Sequence, residues 1–165
     1  MIVKFRAIGV LMITALGACT DAQHPIDQQL SRLKPVVVAP LVSLSWPAGT
    51  LLCPLTPYES ALPGASPTAQ RVNAFLEKKR FSGDEGHWSL VVIKPAPTGE
   101  AGIEQLIFKR GSYDIVTSRQ RLGETAESVH VTFEVRQCVE VNEARVLVTR
   151  GSASARKLIS FGTEK

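Results

Sequence analysis

Apolar and polar residues along this chain fall into a few recurring patterns, and each predicts a different kind of element. Alternation is clearest late in the sequence. Val129, Val131, Phe133 and Val135 take turns with His130, Thr132, Glu134 and Arg136, which predicts a strand with one buried and one wet face. Leu90-Val91-Val92-Ile93 is apolar without interruption and ends at Lys94-Pro95. A short run that is apolar on both faces predicts a strand in the middle of a helix-covered sheet. Earlier, Val36 to Ala39 lies between two prolines, Leu41 to Trp46 is strand-like, and Thr50 to Leu55 is expected to pair with it across the Trp46-Pro47-Ala48-Gly49 turn. The prolines argue for short or edge strands. Ser112 to Ser118, Ala144 to Thr149 reached as a hairpin through Asn142-Glu143, and Leu158 to Phe161 complete the predicted strands.

Helical spacing appears twice. Ser66-Pro67 offers an N-cap followed by proline in the first turn, and Ala69, Val72, Phe75 and Leu76 then recur on one side until Gly83-Asp84-Glu85-Gly86 breaks the pattern. Lys78-Lys79-Arg80 reads as a solvated helix end whose charges offset the dipole. Thr98 to Arg110 predicts a second helix, with Ala101, Ile103, Leu106 and Ile107 on one side and Gly111 as its stop. The middle of the chain therefore reads helix, strand, helix, strand, and a crossover of that length implies parallel strands. The expected architecture is α+β: one domain over 36–165, with two helices packed on a mixed sheet of four to six strands.

The remaining apolar run, Ile8 to Leu16, follows Lys4 and Arg6 and ends in Leu16-Gly17-Ala18-Cys19. This is the form of a secretory signal. About 12 apolar positions are too few to cross a ~30 Å hydrocarbon core comfortably, so residues 1–18 are expected to be removed. Leu16-Gly17-Ala18-Cys19 resembles the bacterial lipobox, which implies that Cys19 is acylated and becomes the membrane anchor. Thr20 to Pro35 is polar and punctuated by proline, which suits a flexible tether between bilayer and domain. Thr20 after the anchor, rather than aspartate, resembles lipoproteins passed on to the outer membrane, facing the periplasm.

Composition narrows the partners. The 165 residues carry a formal charge of +4, of which Lys4 and Arg6 would leave with the signal, so neither charge nor an exported location favours nucleic acid. With Cys19 taken by lipid, Cys53 and Cys138 remain in an oxidising compartment, and a disulfide is expected. A metal site built with a histidine and a pair of buried free thiols are the alternatives, though no Cys or His has metal-ligand spacing to another. His24 falls in the tether, His87 beside a glycine-rich turn and His130 on a wet strand face, so all three read as surface histidines. Asp84 and Glu85 are adjacent carboxylates in a turn, and Trp46 and Trp88 read as anchors of the sheet rather than groove linings. There is no Gly-x-Ser-x-Gly elbow, phosphate-binding glycine loop or HExxH helix. These absences disfavour an enzyme and give no candidate catalytic residue, metal or cofactor.

Several short motifs occur in a telling order. They are His24-Pro25-Ile26, an amphipathic helix ending in a glycine turn, Leu90 to Pro95, a helix closed by Gly111, and Val131-Thr132-Phe133-Glu134-Val135-Arg136-Gln137-Cys138. In this order the chain resembles the CpaD-type lipoproteins of tight-adherence (Tad) pilus assembly, over about Gln23 to Val139. It departs from them after Cys138, where Gly-x-Trp is missing, and at Thr163, where a second late cysteine is usual. The resemblance implies a non-catalytic role: an outer-membrane lipoprotein that helps a secretin channel assemble or stay in place, with a protein partner in a pilus or secretion complex. Ser66 to Phe81 is also similar to the helix of OmpA-like cell-wall-binding domains, without their peptide-gripping charged pair. That likeness implies the alternative, a periplasmic ligand- or peptidoglycan-binding lipoprotein.

Overall fold

In the computed structural model, which describes residues 23–42, 44–95, 102–118, 133–150 and 156–165, the apolar run around Leu90 is the heart of β3 (His87–Lys94). A strand buried on both faces needs hydrogen-bond partners on both edges and cover on both sides. β3 has all four. β2 (Leu51–Leu55) pairs antiparallel along one edge and β4 (Gly102–Lys109) along the other. β7 (Val139–Glu140) lies beyond β2 and completes a four-stranded sheet in the order β4-β3-β2-β7.

The outer face of this sheet carries Cys53, Leu55, Val91 and Ile93, and against them pack Ala69, Val72 and Leu76 of α2 (Pro67–Lys78). α2 begins where expected because Ser66 Oγ accepts the Ala69 amide at 3.1 Å and Pro67 has no amide left to satisfy. The inner face, with Leu52, Trp88, Leu90 and Val92, shares one core with Val146, Val148, Ile159 and Phe161 of a second sheet. There β9 (Lys157–Glu164) pairs antiparallel with β8 (Arg145–Arg150), and β1 (Val37–Pro40) lies outside β8. The other edge of β9 is shared by β5 (Tyr113–Ile115), which runs parallel to it, and β6 (Phe133–Val135), which runs antiparallel. The domain is α+β, with two helices and nine strands among the described residues, arranged as a five-stranded and a four-stranded sheet rather than one.

The segment expected as a tether is folded over much of its length. Pro25–Arg32 forms α1, with Ile26 and Leu30 fully buried between the sheets. Two turns of helix are too few to persist alone in water, so α1 depends on its contacts. His24 Nδ1 accepts the Ile26 amide, the Tyr113 hydroxyl donates to Asp27, and Lys157 Nζ donates to the Ser31 and Leu33 carbonyls at 2.6 and 2.7 Å. Those carbonyls would otherwise be unsatisfied at the helix end. Burial lowers the Lys157 pKa, and burial followed by the hydrogen bond to Asp27 raises that of Tyr113.

Three other expectations are corrected. The helix foreseen over Thr98–Arg110 is a strand from Gly102 onward, in register with β3 from Lys94↔Gly102 to His87↔Lys109. Ile103 and Ile107 do fit a helical period, but β-branched and aromatic residues pack well on a sheet, and without β4 the outer edge of buried β3 would be left unpaired. The β3–β4 pair is accordingly an antiparallel hairpin and not a parallel crossover. Leu41 to Trp46 forms no strand at its described positions, and β1 and β2 go to different sheets. The turn near Asn142-Glu143 exists, yet β7 and β8 also go to different sheets, because the chain crosses the core there through buried Val141 and Ala144. The leader, Cys19, Val129 to Thr132 with His130, and the loop over Arg119 to Glu127 lie outside the described residues.

Cys53 and Cys138 are joined by a disulfide with S–S 2.06 Å, across 85 residues of sequence. Bridging them ties β2 to the link between β6 and β7, and so fastens one sheet to the chain leaving the other. Replacing both by alanine should lower stability by about 4 kcal/mol in denaturant unfolding. Gly162 provides a second check. A Cβ there would stand 2.0 Å from the Glu134 carbonyl and 2.7 Å from the Phe133 ring, on the strand that pairs with β9 at Val135↔Gly162. Gly162→Ala should cost about 3 kcal/mol and lower Tm by about 10 °C. Gly102→Ala, where nothing lies within 4 Å, should change stability by less than about 0.5 kcal/mol.

Candidate functional site

α2 ends in a left-handed turn built on an arginine. Arg80 has φ 53°, its amide donates to Glu77 O, and the Phe81 amide reaches back to Leu76 O at 3.0 Å. Glycine is the residue that takes this position without steric cost. The chain then passes Gly83, pressed so closely on the backbone at Tyr58 and Glu59 that a Cβ would lie 2.6 Å from the Glu59 carbonyl oxygen. The Gly83 amide donates to Ser60 Oγ and the Tyr58 amide to Asp84 O, so the two loops are held together.

Asp84 closes the turn. Its Oδ1 accepts the Gly86 amide at 2.7 Å and lies 2.9 Å from His87 Nδ1. A carboxylate can only accept, so the imidazole proton sits on Nδ1 and Nε2 is left as an acceptor in the neutral ring. Trp88 turns into the core and stacks on Phe108 with ring centroids 4.4 Å apart. Ser89 turns outward beneath Gln105, whose amide donates to its hydroxyl at 3.3 Å. Gln105 and Ile107 of β4 finish a pocket of about 380 Å³ between the end of α2, the 82–87 turn and the outer face of β3 and β4. Lys79 and Arg80 also line it, and neither takes part in an ion pair among the described residues. No hydroxyl hydrogen-bonds to His87 Nε2 among the described residues.

The second feature is the edge of the four-stranded sheet. β4 is eight residues long and pairs with β3 alone among the described strands. It carries no proline, and Ile107 is 56 % exposed on it. An open row of backbone donors and acceptors is a template for another strand. Lys94 and Glu104, paired at 2.7 Å, sit towards its other end.

The residues singled out from the sequence scatter. Cys53 and Cys138 meet, as described, and no cluster of three or more metal-binding side chains exists among the described residues. Cys19 and His130 lie outside those residues. His24 is not a tether residue: it caps α1, stacks on Trp46 at 5.8 Å and meets Phe108 edge-on. Trp46 and Trp88 pack in the core region and line no shared groove. Of the residues singled out, Asp84, His87 and Trp88 line the pocket together with Lys79 and Arg80. The pocket itself was not foreseen. The one sequence signal for it was a basic pair placed immediately before a glycine turn, and that pattern is also what an ordinary helix end shows.

The hydrogen bond from His87, and after it the Gly86 amide, holds the Asp84 carboxyl below its ordinary pKa despite some opposing desolvation. Asp84 therefore binds a proton more weakly folded than unfolded. Its contribution to holding the turn is complete above the usual carboxylate range near pH 4 and is lost as acid passes through the lowered folded value. In an NMR titration the Gly86 amide shift should follow one carboxyl group with a midpoint below the ordinary aspartate value, and Asp84→Asn should abolish that transition. Set beside protein-family models, curated proteins and solved structures, this chain matches none of them.

Proposed function

We propose that this chain is a non-catalytic, lipid-anchored docking module on the periplasmic face of the outer membrane, serving assembly or placement of an exported complex of the pilus or secretin type. The observation that supports it most directly is the edge of β4 that pairs with no other described strand: eight residues, unprotected by proline, with a large apolar side chain facing solvent. Main-chain pairing along such an edge gives affinity, and alternate side-chain positions give selectivity. A stapled, two-sheet frame behind the edge keeps it extended and in place. The anchor follows from the lipobox-like Leu16 to Cys19 and the basic, apolar leader before it. No helix among the described residues is long and apolar enough to cross a membrane.

The pocket beside β4 favours a second reading, in which the protein holds a small periplasmic ligand or a cell-wall fragment. Concave sites with a few convergent polar groups are where such ligands bind.

Affinity capture from detergent-solubilised envelope separates the two. The lipidated protein should recover a secretin or another pilus-assembly component, and Cys19→Ser should recover much less. Ile107→Lys, which changes an exposed side chain, should fold normally and reduce recovery at least fivefold, and Ile107→Pro should abolish it. Recovery of cell-wall fragments alone would favour the second reading. Equal recovery by wild type and both Ile107 variants would remove β4 as the docking edge.

A further inference from the structure

We infer that the pocket beside β4 receives an acidic side chain from the segment that docks on that strand, so the preferred partner is an extended peptide carrying glutamate or aspartate. This inference rests on β4 being the docking edge and adds what that edge selects.

Register is the first argument. Gln105 and Ile107 are two apart on β4, project to the same face and both line the pocket. A strand added to β4 would lie about 4.8 Å away, and every second side chain would emerge on that face, next to those two residues. One of them would stand at the pocket mouth, within reach if it is long and polar.

Charge is the second. Lys79 and Arg80 supply two cations that no carboxylate neutralises among the described residues. Lys79 Nζ stands 4.8 Å from the Phe75 ring centroid, over the ring face. Asp84 is the one acidic group in the lining, and it is engaged twice, by His87 and by the Gly86 amide. The pocket therefore has a positive balance that a carboxylate would complete. A lysine or arginine placed there would meet like charge.

Backbone conformation is the third. A helix that only had to end would be served by glycine at position 80, where φ is 53°. Arginine in the left-handed region is sterically disfavoured, and such positions gather at sites where the side chain is needed in one place. Here the left-handed turn places Arg80 in the pocket lining, and a guanidinium is the group best shaped to grip a carboxylate with two parallel hydrogen bonds.

The test uses the full lipidated protein in detergent micelles and two fluorescein-labelled peptides, Thr-Val-Glu-Val-Thr-Val and the same sequence with Gln in place of Glu, followed by fluorescence anisotropy. The Glu peptide should bind wild type at least tenfold more tightly than the Gln peptide. Arg80→Gly should melt at or above the wild-type temperature, since glycine accepts the turn, and should reduce the preference for Glu to within about threefold. Lys79→Gln should reduce it in the same direction. Both variants should leave the Gln peptide's affinity unchanged, and Ile107→Pro should abolish binding of both peptides. Equal affinity of wild type for the two peptides, or an undiminished preference in both cation variants, overturns the acidic selection while leaving β4 docking to stand on the envelope capture. Failure of both peptides to bind overturns it as well. Binding of the Glu peptide undiminished by Ile107→Pro would instead overturn the docking edge on which the inference rests.

Discussion

β3 is apolar without a break from Leu90 to Ile93 and fully polar in its backbone, and the rest of the fold answers that combination. Its amides and carbonyls are paired along both edges by β2 and β4, while its side chains are covered by α2 on one face and by the second sheet on the other. Either provision alone would fail: an unpaired buried amide costs free energy comparable to a lost hydrogen bond, and an uncovered row of Leu, Val and Ile loses the main driving force for folding. Because β3 takes all its partners for itself, β4 ends up as the outermost of the described strands in its sheet, paired on one side among them. The exposed edge is thus a consequence of protecting the centre.

The links between layers are few and specific. The disulfide ties β2 to the chain that leaves β6, Lys157 ties β9 to the end of α1, and Tyr113 ties β5 to its start. Each joins segments far apart in sequence, so each constrains the arrangement of the sheets more than any single strand. The pocket depends on the same frame. Its walls are the end of α2, a turn clamped by Gly83 against the 58–59 backbone, and the outer side chains of β3 and β4.

What could be read in the sequence was the content of single elements. Ser66-Pro67 and the 69-72-76 spacing located α2, unbroken apolarity located β3, and the two cysteines outside the leader located the bridge. Errors came where local pattern and tertiary need diverged. Ile103, Leu106 and Ile107 have helical spacing, but the unpaired edge of β3 decided for a strand, and no window around those residues contains that information. α1 was hidden for the opposite reason: Ile26 and Leu30 are only two apolar residues in a polar stretch, and the helix exists because Asp27 and the carbonyls after Leu30 find Tyr113 and Lys157, 86 and 124 to 127 residues away. The pocket was invisible because the stretch 79–89 lines it only together with Thr56 and with Gln105 and Ile107 of β4, which the fold brings in from elsewhere in the chain.

That α1 is bound to the core changes the geometry of anchoring. From Cys19 to Pro25 the backbone can extend over about 20 Å at most, so a lipid on Cys19 would leave the domain a short leash instead of the long one its polar sequence suggests. The start of α1 lies beside the last residues of β4, where His24 meets Phe108 at 5.7 Å. On the proposed anchoring, the lipid could stand no farther than that short reach from the end of α1 that packs against this end of β4.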